Sequence, residues 1–250
     1  ADAVVHNMRP KAAEPLGLNY EQLSRIKPDL VYAFAAGYDQ SGPNANEPAY
    51  DDIVQAAAGV AALNANASGE PRYLSTILCD KVGGLHLAIA VVTDLAHRAR
   101  TGQGCCIEAP MFESTVAFLL SEQLGGETFV PALGPTGYDR LAAPNRKPYR
   151  TQDGFMAILP YNGAHWAAFF EIIGRAEFEQ SLQVQDPVLR SQRVDSLYAI
   201  IAEVAPTRTT AAWLESLRAA DIPCARVNSI GELLLDPHLL ATGFFQEYDH

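Results

Sequence analysis

The chain has 250 residues, 48% of them hydrophobic and 19% charged, with a formal net charge of −11. These values are ordinary for a soluble globular protein of one large or two medium domains, long enough to bury a real core. With no Lys/Arg stripe, and its densest basic stretch only Arg140 to Arg150, the acidic chain is not built around nucleic acid, although a local basic pocket is still free to hold a polyanion.

The first half alternates buried strands with amphipathic helices. Ala3–His6 and Leu30–Ala36 read as strands, with a helix over Tyr20–Ile26 between them that Pro28-Asp29 ends. Asp51–Ala62 reads as one Ala-rich helix. Asp80–Arg100 is the clearest helix, with Leu85, Ile89, Val92 and Ala96 as its apolar stripe and Thr101-Gly102 as its stop. Cys105–Ala109 follows as a strand and Phe112–Gln123 as a helix. This alternation predicts an α/β layer with parallel strands. Between Gly125 and Arg150, Gly and Pro dominate and mark a domain boundary. A smaller α+β unit follows: strand Phe155–Leu159, helix Ala164–Ile173, a polar helical stretch near Arg190–Ala205, helix Thr209–Ala220 and strand Cys224–Val227. We therefore divide the chain into 1–130, a linker and small domain over 131–228, and a returning linker over 229–250.

No apolar run is long enough to span a bilayer, since Leu85 to Leu95 is interrupted by His86 and Asp94. The opening ADAVVHNMRP lacks the features of a signal peptide, so we expect a cytoplasmic protein without a membrane partner. Cys79, Cys105, Cys106 and Cys224 form no CxxC pair and no metal spacing with the histidines, which predicts free thiols, buried at Cys105-Cys106, and no metal site. Gly83-Gly84 and Thr101-Gly102-Gln103-Gly104 are neither a dinucleotide fingerprint nor a P-loop, and no GxSxG is present. The start inside a strand pattern without Met, and the end at Tyr248-Asp249-His250, lead us to expect a segment of a longer protein.

One carboxylate stands out. Asp80 opens the clearest helix, where the positive helix end would hold it ionised. On pattern alone it reads more often as an N-cap than as a nucleophile.

Taken in order, ADAVVHNMRP, LGLNYEQL, KPDLVYAFAAGYDQSGP, AYDDIVQAAAG, ILCDKVGGLHLAIAVVTDLAHRARTGQG, PYRTQDGFMAI and ADIPCARVNSIGELLLDPHLLATGFF resemble the family III CoA-transferases. This is the group of formyl-CoA transferase and the carnitine CoA-transferases, with α-methylacyl-CoA racemase as a relative. The resemblance covers essentially the whole chain. It implies a Rossmann-like large domain, incomplete here, with a smaller α+β domain, and in full-length members an interlocked homodimer. It implies an enzyme that moves coenzyme A from an acyl-CoA to a carboxylic acid through an anhydride and a CoA thioester on Asp80. Coenzyme A is then a substrate, and no tightly bound cofactor or metal is implied. Asn7, Met8 and Arg9 match the turn at the adenosine end of CoA, and Glu47, Pro48, Ala49 and Tyr50 a second CoA-lining stretch.

Where the racemase branch carries a His thirty residues before the Asp, this chain has Tyr50, a poor acid/base group for an α-proton near neutrality. That favours transfer over racemisation, and a half-buried helix-capping Tyr is the alternative reading of the residue. Pro15 and Pro48 replace basic residues of relatives, and the segment 134–150 lacks the family's Gly run, which speaks against formyl-CoA and oxalate. Tyr138, Arg140, Arg146 and Arg150 are weak candidates for holding an acid's second carboxylate. An inactive CoA-binding fragment is the alternative of a different class.

Overall fold

The structure, a computed structural model, describes residues 1–65 and 69–249. It comprises two compact units, Ala1–Gly137 and Tyr138–His250. The first runs β1 (Ala3–His6), α1 (Pro10–Ala13), α2 (Tyr20–Ile26), β2 (Val31–Ala36), α3 (Asp51–Ala57), α4 (Val60–Leu63), α5 (Leu78–Thr101), β3 (Cys105–Pro110) and α6 (Met111–Gln123). Its strands form a parallel sheet in the order β1-β2-β3, with Ala3 opposite Val31 and Val31 opposite Cys105. The α/β class expected from the alternation is therefore the one adopted.

β2 is central and covered on both faces, which is why its sequence is a continuous apolar run. Tyr32 and Phe34 face Val4, Tyr20 and Leu23, while Val31, Ala33 and Ile107 face Leu87, Val91 and Leu95 of α5. Gly104 admits β3 beside β2, because a Cβ there would collide with the Leu30 carbonyl. At the far end of α5, Arg98 pairs with Asp2 at 2.9 Å and with Asp29, whose carboxyl it holds down at about 2.

Four expectations for this unit need correction. The helix expected over Asp51–Ala62 is two segments, broken where Gly59 takes φ 88°. Helix α5 begins at Leu78, so Asp80 lies inside its first turn and Ile77 is the N-cap. The stripe Leu85, Ile89 and Val92 is exposed (65%, 66% and 67%), and the packed face is the roughly opposite one. The middle of α5 is apolar nearly all round, so periodicity offers two stripes and only the sheet chooses between them. Cys79 is buried, but Cys106 is exposed rather than buried: β3 alternates, and only Cys105 turns toward α5, where burial pushes its thiol up to about 12.

The second unit contains α7 (Asp139–Ala142), β4 (Tyr149–Arg150), β5 (Phe155–Ile158), α8 (Gly163–Ile172), α9 (Phe178–Ser181), α10 (Pro187–Gln192), α11 (Val194–Val204), α12 (Thr210–Ala219), β6 (Cys224–Arg226), α13 (Ile230–Leu233) and α14 (Pro237–Ala241). Its sheet is antiparallel in the order β4-β5-β6. β5 buries Met156 and Ile158 on one face. Against them lie Phe169 and Trp213, stacked with centroids 6.2 Å apart, and the Trp213 indole N–H donates to Ala205 O at 2.9 Å. The polar stretch expected near Arg190–Ala205 is two helices, α10 capped by Asp186 and α11 burying Leu197, Tyr198 and Ile201. No helix among the described residues is long and apolar enough to cross a membrane.

Ile107→Ala should destabilise the chain by about 2–5 kcal/mol, and Ile89→Ala by about 0.5 kcal/mol or less. Urea unfolding measures both, and equal losses would show that the exposed face of α5 is packed after all.

Candidate functional site

At the carboxyl ends of β1, β2 and β3 the parallel sheet opens into a cavity of about 480 Å³, the place where open α/β sheets receive ligands. Ala35, Ala36 and Ala109 end the strands there with small side chains. The loop after β2 folds back over this edge, and Gly37 permits it, since a Cβ there would collide with Ala49. Two carboxylates hold the loop: Glu108 accepts from the Gln40 N–H at 2.7 Å, and Glu113 from the Asp39 N–H at 3.2 Å. Burial pushes the Glu108 carboxyl above its ordinary range.

This folding brings Asn7, Arg9, Glu47, Ala49, Tyr50 and Asp80 onto one cavity wall. Met8 lines an adjoining cavity of about 630 Å³, which shares Asn7, Arg9 and Pro10 with the first. Pro48 lies in the same loop but lines neither. Tyr50 is the N-cap of α3, but it makes no side-chain cap and is 73% exposed, so it is not the half-buried residue of the alternative reading.

The turn after β1 is fixed from below. The Met8 N–H donates to His6 Nδ1 at 3.1 Å, and His6 Nε2 lies 2.5 Å from the Tyr32 hydroxyl, which itself donates to Leu18 O. This pattern is the neutral imidazole with its proton on Nε2. Burial lowers the His6 pKa, so Nδ1 stays an acceptor through neutrality and is lost only as pH falls below the ordinary histidine range.

Asp80 is the third residue of α5, and the structure shows what caps that helix. The N–H groups of Cys79 and Asp80 donate to Asp51 Oδ1 at 2.7 and 3.1 Å. Asp51 is 6% exposed, and its second oxygen accepts from Gln55 Nε2 at 2.6 Å. Gln55, fully buried, also donates to Thr76 O and accepts from the Leu74 N–H. Asp51 therefore takes the capping role that the sequence offered to Asp80, leaving the Asp80 carboxyl free in the cavity. The expectation that the helix end holds Asp80 ionised is opposed: protein crowding round its carboxyl and, next, the Asp51 charge raise its pKa. Gly84, one turn on, adds no atom beside it; a Cβ there would meet open space.

Sequence reading missed Asp51, Gln55, Gly84 and Lys11. The last lines the cavity that holds Met8, a second cation near Arg9 in an acidic chain. Its adjacency to Arg9-Pro10 was a signal, but a lone surface Lys after a Pro carries little weight. Among the described residues, no three His, Cys, Asp or Glu side chains are grouped to hold a metal ion.

The sequence profile of CoA-transferase family III matches residues 1–250. The chain belongs to that family. It is 31% identical over 240 residues to the acetyl-CoA:oxalate CoA-transferase of Acetobacter aceti, a match that takes in 93% of this chain and 60% of that protein. It is 27% identical to the succinyl-CoA:glutarate CoA-transferase of Mus musculus, over 100% of this chain and 57% of that one. The chain thus spans 60% and 57% of these relatives' lengths. A crystal structure of a hypothetical protein from Mycobacterium tuberculosis superposes with a TM-score of 0.82 at 26% identity, covering 97% of this chain and 65% of that one. The family III fold thus accounts for both the parallel sheet and the smaller antiparallel unit.

A ¹³C NMR titration should place the Asp80 midpoint above the ordinary Asp value of about 3.9. Asp51→Asn should lower it only part of the way, because desolvation remains. An unmoved midpoint in that variant would rule out coupling between the two carboxylates. Asp51→Ala, which leaves two amide groups without their acceptor, should destabilise the chain by about 1–3 kcal/mol in urea unfolding.

Proposed function

We propose that this chain carries the nucleophile and part of the CoA site of an enzyme that moves coenzyme A from an acyl-CoA to a carboxylic acid. The reading rests above all on the convergence of Asp80 with Arg9, Glu47 and Tyr50 on one cavity at the sheet's carboxyl edge. The family and its named relatives support the reaction class.

In this mechanism an Asp80 oxygen attacks the thioester carbonyl, the C–S bond breaks, and a mixed anhydride and CoA thiolate form. The thiolate attacks the Asp80 Cγ and expels the donor acid as its carboxylate, leaving an aspartyl-CoA thioester. The acceptor carboxylate attacks that thioester to give a second anhydride and thiolate. The thiolate then attacks the acceptor's carbonyl, releasing the new acyl-CoA and restoring Asp80. Each step exchanges one anion for another, so no proton need move and no acid/base partner is required. A raised pKa suits the role, because a more basic carboxylate is the better nucleophile in its ionised form. Asn7, Met8 and Arg9, with Lys11 beside them, would hold the anionic end of CoA. Glu47, Ala49 and Tyr50 would line its path toward Asp80, with Pro48 in the same loop. The whole enzyme would act as a homodimer.

Intact mass spectrometry after incubation with a panel of acyl-CoAs, with hydroxylamine trapping, tests this. The expected outcome is an adduct on the peptide holding Asp80, absent in Asp80→Ala. α-Proton exchange in deuterated water without any adduct would replace transfer by racemisation. CoA binding with neither activity would mean a chain that only binds.

A further inference from the structure

A cavity of about 190 Å³ lies wholly within the second unit, between α8, α10, α11 and the segment around Tyr138. Nothing in the reading of Asp80 uses it. We propose that it is a binding site for a small organic carboxylate, held by Arg140 and Arg190 above an apolar floor.

Of the four residues flagged in the sequence for this chemistry, the structure gathers Tyr138 and Arg140 here and lays the Arg150 guanidinium over the Phe155 ring instead, 4.5 Å from its centroid. Arg140 is held in place. Its Nε donates to the Tyr138 hydroxyl at 3.2 Å, and its guanidinium lies 5.4 Å from the Tyr138 ring and 5.8 Å from the Tyr161 ring. The hydrogen bond to Tyr138 is the main cause that raises its pKa. Arg190, from α10, is fixed by donating to Val184 O at 2.7 Å. Neither is within ion-pair distance of a carboxylate among the described residues, in contrast to Arg98, Arg175 and Arg226. Other arginines also lack such partners. These two differ in lining one concave space with side chains already fixed, so little conformational freedom remains to be lost on binding.

The floor is Trp166, Leu197 and Tyr198, at most 3% exposed. The ligand's carbon body would rest there while its acid group meets the planar donor forks of arginine, whose geometry matches a carboxylate. The volume suits an acid of a few carbons and is too small to enclose coenzyme A. Inorganic phosphate satisfies the cations but has nothing to place on Trp166 and Leu197.

Calorimetric titration of the chain at fixed ionic strength, with sodium butyrate, succinate, phosphate and neutral butyramide as probes, tests the site. We expect butyrate or succinate to bind with a Kd on the order of millimolar, phosphate to bind more weakly, and butyramide not to bind. Arg140→Gln and Arg190→Gln should each weaken the acid by about tenfold or more. Arg140→Lys should recover part of the loss, and Arg175→Gln should change nothing. Near-ultraviolet circular dichroism of Trp166 and Trp213 checks that each variant is folded, and the two Arg140 variants decide the matter if Arg190→Gln is not. The proposal falls if no acid binds, if butyramide binds like butyrate, if phosphate binds as tightly as the acids, or if Arg140→Gln leaves binding unchanged. It does not depend on Asp80, so an Asp80→Ala chain should bind the acid as the native one does.

Discussion

Asp51 is the constraint on which the site depends. A carboxylate that is 6% exposed is tolerated only when fully engaged, and this one accepts from two amides at the start of α5 and from the Gln55 side chain. The same bonds tie α3 to α5 across 28 residues of chain. They cap a helix whose own N-cap, Ile77, has no polar group to offer. They also put a second negative charge near Asp80. Anchoring and electrostatic tuning thus come from one side chain.

Around that anchor the cavity is made by what is missing. Gly37 lets the β2 loop approach Ala49, Gly84 leaves the helix surface bare beside Asp80, and alanines end the strands. Two adjacent helical glycines at 83 and 84 forgo about 1 kcal/mol each of helix propensity relative to Ala. An empty face beside the carboxyl is consistent with that concession. In a chain of net charge −11, Arg9 and Lys11 make the neighbouring cavity locally basic, which is how an acidic protein accommodates an anionic ligand.

The second unit is organised differently. Its core is aromatic, built on Trp166, Phe169, Phe170 and Trp213, and its antiparallel sheet shows the alternation that one-sided burial demands. Asp186, Thr209 and Ser229 each cap a helix with their own side chains, so these helix starts are specified locally.

Much of this was legible without coordinates. Strand Ala3–His6 and helix Tyr20–Ile26 fall where the pattern put them, because period, breaker and cap are properties of a few adjacent residues. The order of motifs singled out Asn7, Arg9, Glu47, Tyr50 and Asp80, which share a cavity wall. The rest needed the tertiary fold. Which stripe of α5 is buried, which of Cys105 and Cys106 faces the helix, and which aspartate caps α5 all depend on chain segments far apart in sequence. Leu85, Ile89 and Val92 are as apolar as Leu87, Val91 and Leu95, and Asp51 is as acidic as Asp80. Residue type fixed what each side chain is able to do, and the packing of β2, α3 and α5 decided which one does it.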